Sequence, residues 1–323
     1  MSEREGLIWA YDVDAGGRGR EIGWDELDGT PQAGFRWIHL ERGGEDVRRW
    51  VTERSGLSEL EAEALLAEET RPRANAVGEG LLLILRGVNL NPGADPEDMV
   101  AVRLWVDARR VVTVRRRRLL ALQDLRDRVA AGRGPRNVGE FVADLGDHLV
   151  ERMAGILGDL DERLDQIEER DTSDVTPELR GDLVDLRRQA IVLRRYLSPQ
   201  RDALARLTTE RLAWLGDAER QKLREVHDRT TRYVEDLEAA RERAAVTQEA
   251  IASRLAEQLN QRMYALSIVA GIFLPLSFLT GLLGINVGGM PGVDSGGAFV
   301  AVCGALALLT VGEVLLFRRL GWL

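Results

Sequence analysis

Residues 262–294 read RMYALSIVAGIFLPLSFLTGLLGINVGGMPGVD. Between the opening arginine and the closing aspartate, residues 263–293 carry no charge. Upstream, no glycine or proline occurs between Gly216 and Gly271. Those two residues are the main breakers of helix interiors, so one helix is predicted over 217–286. At ~1.5 Å per residue it reaches roughly 100 Å, far beyond a ~30 Å hydrocarbon core. Its charged first part therefore stands in water, and its apolar last part enters a membrane.

A second apolar stretch follows. Residues 295–312 are uncharged for 18 positions, and Val314–Phe317 extend the stretch past Glu313. Two spans return the chain to its starting side. Arg262, Arg318 and Arg319 flank that side, whereas the connecting loop carries only Asp294. The positive-inside rule then places the large soluble part and both termini in the cytoplasm. Trp322 suits an interfacial anchor. Glu313 is an intramembrane acid, a residue class with functional weight, and its closeness to Arg318 and Arg319 suggests snorkelling or pairing.

The remainder reads as soluble. The chain has 323 residues and a net charge of −9, and Lys222 is its one lysine among many arginines. Residues 1–6 are charged, and the short run behind them is not the apolar core of a signal peptide. The lone Cys303 permits neither an intrachain disulfide nor a cysteine-cluster metal site. Apolar, β-rich runs at 7–11, 35–40, 81–89, 99–106 and 110–114 predict strands, with a hairpin turn at 107–109. Helices are expected at 44–55 and 58–68, the latter opened by a Ser58/Glu61 capping box, and from Arg115 to about residue 131. The arginine run 115–118 in an acidic chain reads as a solvated or inter-subunit face, and no nucleic-acid partner is expected. After the break at 132–135, apolar residues at i, i+3/i+4 spacing from Val142 to Ile167 and from Leu179 to Leu197 predict two antiparallel helices. Pro177 should open the second after Thr176, and Ser198-Pro199 should kink or interrupt it. Leu237, Ala240, Ala244, Ile251, Leu255 and Leu259 continue a seam along the long helix.

Two spans per subunit cannot enclose a pore, so conduction requires an oligomer. Along the first span, Met263, Leu266, Ala270, Leu274, Ser277, Gly281 and Gly284 recur at steps of three and four, one helical stripe. A small-residue packing face gives the same pattern, so periodicity leaves pore lining and packing both open. The span holds no Asp, Glu, His or Cys. Stripping water from Zn²⁺ would need such ligands, and direct Mg²⁺ binding favours carboxylate oxygen. A cation passing here would stay largely hydrated, met by hydroxyl, amide and carbonyl oxygens. Asn286 is the amide at the helix end, where capping the turn is its alternative role. His39, His148 and His227 are scattered and read as structural or exposed. No nucleophile elbow or phosphate-binding glycine loop is present, so an enzyme is not expected.

Gly284-Ile285-Asn286, preceded by Ile272-Phe273-Leu274-Pro275-Leu276-Ser277-Phe278 and followed by Met290-Pro291, resembles the membrane signature of the CorA-type metal-ion transporters. The triplet of that family is Gly-Met-Asn; the Ile here, and the Val-Gly-Gly-Met-Pro-Gly loop, are similar to the zinc transporter ZntB branch. Thr70-Arg71-Pro72-Arg73, residues 85–93 and residues 113–120 look like recurring blocks of that branch, so the resemblance covers essentially the whole chain. It implies a funnel-shaped homopentamer: an α/β cytoplasmic domain (1–135), a helical hairpin (136–216), the cytoplasmic part of a coiled-coil stalk helix (217–262), a first transmembrane helix (263–285), an external loop (286–297), a second transmembrane helix (298–317) and a cytoplasmic tail (318–323).

The resemblance further implies that Asn286 forms an outer ring and that Ser277, Leu274, Leu266 and Met263 match the pore constrictions. It implies Zn²⁺ as cargo, with Mg²⁺, Co²⁺, Ni²⁺ and Cd²⁺ as others, coupled to protons in the zinc branch, and no tightly bound cofactor. Glu313 and a hydrated-ion route are both open as proton paths. Gly292 stands where magnesium-type members often carry an acid, so Asp294 alone would attract cations to the loop. A magnesium or cobalt channel gated by cytoplasmic metal, and a membrane-tethered coiled-coil scaffold or sensor, are the alternatives.

Overall fold

A computed structural model describes residues 6–31, 33–170, 176–285, 292 and 294–322. The chain forms two compact units, Met1–Gln248 and Glu249–Leu323.

The first unit is built on a mixed sheet of β1 (Leu7–Val13), β2 (Gly19–Glu21), β3 (Phe35–Glu41), β4 (Arg73–Val77), β5 (Gly80–Gly87), β6 (Val100–Asp107) and β7 (Arg110–Arg115), in the order β2-β1-β3-β7-β6-β5-β4. Among the described strands, only β3 and β7 pair in parallel. Alternate side chains on a strand point to opposite faces, and both faces here are apolar. One carries Trp37, Leu83, Leu104 and Val111; the other carries Ile38, Leu82, Val112 and Val114. The first face packs on α3 (Leu120–Ala130), α4 (Val138–Glu169), α5 (Pro177–Thr209) and the start of α6 (Asp217–Leu283), through Leu125, Phe141, Leu204 and Val226. The second packs on α1 (Glu45–Arg49) and α2 (Glu59–Leu66), through Val47 and Leu65. Burial on two sides explains why these strands read as continuous apolar runs. Trp37 Nε1 donates to Thr113 Oγ1, which also meets His39 Nδ1 at 2.8 Å. His39 is fully buried, and burial foremost holds its pKa well below the usual value, so it stays neutral and structural.

Several boundaries differ from the sequence expectation. The helix expected at 44–55 is α1 followed by a π-helical turn, Trp50–Arg54, which turns Trp50 and Val51 inward. Arg115 closes β7 rather than opening a helix, and α3 starts at Leu120, once the arginine run has passed. The short β2 and β4 have no alternation to reveal them. The capping box of Ser58 and Glu61 forms, with Ser58 N donating to Glu61 Oε2 at 2.7 Å. Thr176 caps α5 by accepting from Leu179 N at 3.2 Å; residues 171–175 lie outside the description.

Pro199 does not interrupt α5, which runs unbroken to Thr209. An interior proline costs about 3 kcal/mol. Leu193, Leu197, Leu204 and Leu207 are fully buried around it, at ~1.5–3 kcal/mol each, and Gln200 Oε1 accepts from Arg86 N at 2.7 Å. Packing therefore outweighs the local penalty. On α6, the seam residues Leu237, Ala240, Ala244 and Ile251 are buried, Leu255 is half-buried and Leu259 is exposed.

Lys222 of α6 sits at a charged junction with α4. Its Nζ lies 2.7 Å from Asp144 and 3.2 Å from Asp147, and Arg128 of α3 reaches Asp144 at 2.8 Å. Burial pushes Lys222 down, but the hydrogen bonds and charges of both aspartates outweigh it and raise its pKa.

Candidate functional site

The second unit contains the end of α6 and all of α7 (Ala298–Arg319). Both helices are long and apolar enough to cross a membrane. Pro275 lies inside α6 without ending it.

Two faces of α6 can be told apart. Ile268, Gly271, Ile272, Pro275, Leu276 and Leu279 are half-buried, whereas most of their neighbours are exposed. α7 carries a half-buried row of its own, which includes Val302, Leu306, Thr310, Val314 and Phe317, and the two helices touch at Gly271 and Phe317. The contact is close at Gly271, where a Cβ would lie 3.0 Å from Phe317 Cζ. Phe317 in turn stacks on Trp322, with ring centroids 5.6 Å apart.

The stripe expected from the sequence lies on the other face. Met263, Leu266, Ala270, Leu274, Ser277, Gly281 and Gly284 are all exposed, Leu274 at 72%. At ~100° per residue, the centre of this stripe is roughly 170° around the helix from the centre of the α7 face. A Cβ at Gly281 would meet nothing within 4 Å. The hydroxyls are also sorted. Ser267 Oγ donates back to Met263 O, and Thr280 Oγ1 to Leu276 O, each at 2.9 Å. Ser277 Oγ makes no such bond among the described residues, and the residue lies on the exposed stripe.

At the outer end, Gly284 N donates to Thr280 O and Gly281 O, closing α6. Ile285 is exposed. Asn286, with the rest of 286–291, lies outside the described residues. Asp294 is exposed in a turn that leads through Ser295 into α7, after Gly292 at φ +89°. Glu313 occupies the half-buried side of α7. Its Oε2 is buried without a hydrogen-bond partner, and no ion pair joins it to Arg318 or Arg319. The pairing suggested by their spacing therefore does not form. Among the described residues, no group of three or more His, Cys, Asp or Glu side chains is placed to hold a metal ion. What this hairpin can offer a cation is a row of weakly polar and apolar surface, a hydroxyl and backbone carbonyls.

The family described as CorA-like Mg²⁺ transporter protein matches residues 32–319. The chain belongs to that family. It is 42% identical to the divalent cation transporter CmaX of Pseudomonas aeruginosa, over 99% of this chain and 98% of the relative. It is 34% identical to the zinc transport protein ZntB of Pectobacterium atrosepticum, over 99% and 97%. The solved structure of full-length CmaX is similar throughout, with a TM-score of 0.88, 41% identity, and coverage of 100% of this chain and 99% of the other. The α/β unit, the long helix and the two apolar C-terminal helices are thus a family architecture, and the family's members are membrane transporters rather than known enzymes.

Proposed function

We propose that this chain carries divalent cations, Zn²⁺ foremost, across the bacterial inner membrane through a homopentameric pore lined by α6. One observation carries the reading: the exposed stripe of α6 is turned away from α7. In a ring of such hairpins, α7 faces lipid and the stripe faces the axis. The stripe's composition supports passage of a largely hydrated ion, because it has a hydroxyl at Ser277 and no donor that would displace the water shell. Met263, Leu266, Leu274 and Ser277 are the proposed constrictions. Gly284, Ile285 and Asn286 form the mouth, and Asp294 attracts cations to it.

The ZntB relatives support zinc as cargo, and the CmaX relative supports divalent cations more broadly; Mg²⁺ and Co²⁺ are the further cations we propose. Cytoplasmic termini and coupling to protons belong to the same proposal. The test is flux into proteoliposomes loaded with a zinc-sensitive dye, with and without an imposed pH gradient, beside a magnesium-sensitive dye. Zinc entry that depends on the protein is expected, and absence of zinc entry from purified oligomer refutes the zinc assignment. Flux unchanged by Asn286→Ala would remove that residue's role.

A further inference from the structure

Two arginines lie inside apolar strands of the first unit. Arg86 on β5 and Arg103 on β6 are diagonal neighbours on one face, since Arg86 pairs with Ala101 and Ile84 with Arg103. Arg103 is 2% exposed, and its Nε and Nη1 have no hydrogen-bond partner; only Nη2 is used, donating to Glu68 O at 3.1 Å. Arg86 donates to Met99 O at 2.7 Å and Thr70 O at 2.8 Å, and its guanidinium lies 4.0 Å over the Tyr196 ring of α5, leaving Nε unpartnered. Backbone carbonyls fix both side chains in place, yet among the described residues no carboxylate forms an ion pair with either one, Glu69 acting on Arg86 only at longer range.

These groups line a cleft of about 240 Å³, joined at its rim by Arg116, Arg117 and Arg195. Among the described residues, none of the five arginines forms an ion pair. The carboxylates at the cleft are Glu68, which turns to Arg42 at 3.2 Å, and the exposed Asp98. An adjoining cleft shares Arg86, Arg116, Arg195 and Tyr196 and adds Arg71 and Arg73 against Glu69. A buried charge without a counter-charge is costly, and like charges gathered around it raise that cost.

We propose that this arginine cleft between β5–β6 and α5 binds a phosphate-type oxyanion, either inorganic phosphate or the phosphate of a small metabolite. Guanidinium forks match tetrahedral oxyanions through paired N–H donors, and the excess of arginine over carboxylate favours a multiply charged ligand. The rim arginines contact the anion, while Arg103 forms the charged floor beneath it. The low proton affinity of that floor agrees: burial, then the charges of Arg42, Arg86 and Arg116, push Arg103 down to about 10. The site is separate from the membrane hairpin and does not depend on the transport reading.

The experiment is titration calorimetry of the full-length protein in detergent, in low-chloride buffer, with inorganic phosphate and with ADP. Saturable binding of either probe is expected, with the tighter of the two identifying the source. Arg103→Met and the exposed double variant Arg116→Ser/Arg117→Ser should each weaken it at least tenfold, and Arg133→Ser, an exposed arginine elsewhere, should not. Arg103→Met should also leave the phosphate-free protein at least as heat-stable as the parent, since an apolar isostere replaces an unneutralised charge. No saturable heat with either probe overturns the proposal, as does binding unchanged in the double variant. The double variant decides the matter even if Arg103→Met does not fold.

Discussion

The orientation of α6 rests on the contact between Gly271 and Phe317, and Gly271→Val perturbs it directly. The new Cβ would sit 3.0 Å from Phe317 Cζ and 3.5 Å from Cε2, whereas carbon atoms rest about 3.5–4.0 Å apart. The ring must move, but it is held by stacking on Trp322 at an interplanar angle of 16°. Overpacking of this kind costs about 1–3 kcal/mol, and disturbing the stack loses part of a further ~0.5–1.5 kcal/mol. Valine recovers only a few tenths through helix propensity, so a net loss of about 2 kcal/mol is expected. In a Phe317→Ala background the clash has no partner, and the same substitution should cost almost nothing. Thermal unfolding of the four proteins of this cycle in detergent should give a coupling of about 1–2 kcal/mol, well above the ~0.3–0.5 kcal/mol within which independent sites add. Gly281→Val, on the exposed stripe, should leave the melting temperature unchanged. Additivity of Gly271→Val and Phe317→Ala, or an equal loss from Gly281→Val, would refute the assignment of the two faces.

Gly281→Val should nevertheless slow divalent-cation flux in proteoliposomes, because it narrows the path without loosening the hairpin. Asp144→Ala removes a 3% exposed carboxylate from Lys222 and Arg128. Those cations are partly exposed and can rehydrate, so the loss should be about 1–3 kcal/mol, typical of hydrogen bonds to charged groups, measured as a fall in melting temperature. Stability should also depend on pH at this junction. Burial pushes Asp147 up, but hydrogen bonds from Arg229 and Lys222 outweigh it and hold its pKa below the usual value. Its contribution is therefore present above about pH 4 and lost as pH falls through the depressed folded value. Lys222 has the opposite sign: its raised pKa gives stability that is complete below its unfolded value and lost as pH rises through the folded one. Melting temperature against pH should show both limbs, and Asp147→Asn should flatten the acid one.

Much of this architecture was legible because strong local signals agreed with packing. The unbroken run after Gly216, the Ser58/Glu61 box and the Thr176-Pro177 start all became the elements expected. The failures have physical causes. Pro199 was read by its local penalty, but four buried leucines around it outweigh that penalty. The Arg115–Arg118 run was read as a helix start, but Arg115 completes the pairing of β7 with β3 and β6. The stripe on α6 can be found from spacing, but its position away from α7 cannot, because spacing alone does not place α7. Arg86 and Arg103 do not stand out by residue type among so many arginines. The available signal was their place within the apolar runs Leu81–Leu85 and Val102–Val106, where a charge is unexpected unless a partner answers it.

The pore assignment is tested most directly by divalent-cation flux through Leu274→Asp compared with Leu274→Lys. Leu274 is 72% exposed on the stripe. If it faces a water-filled axis, the sign of the new charge must matter: at about 6 Å in water, a single charge and a divalent cation interact by about 1.4 kcal/mol, a factor of ten per subunit charge. The expected result is at least tenfold more zinc flux through Leu274→Asp than through Leu274→Lys, with both proteins assembled as the parent is. Equal flux through the two variants, whether high or abolished, would contradict a conducting path along α6.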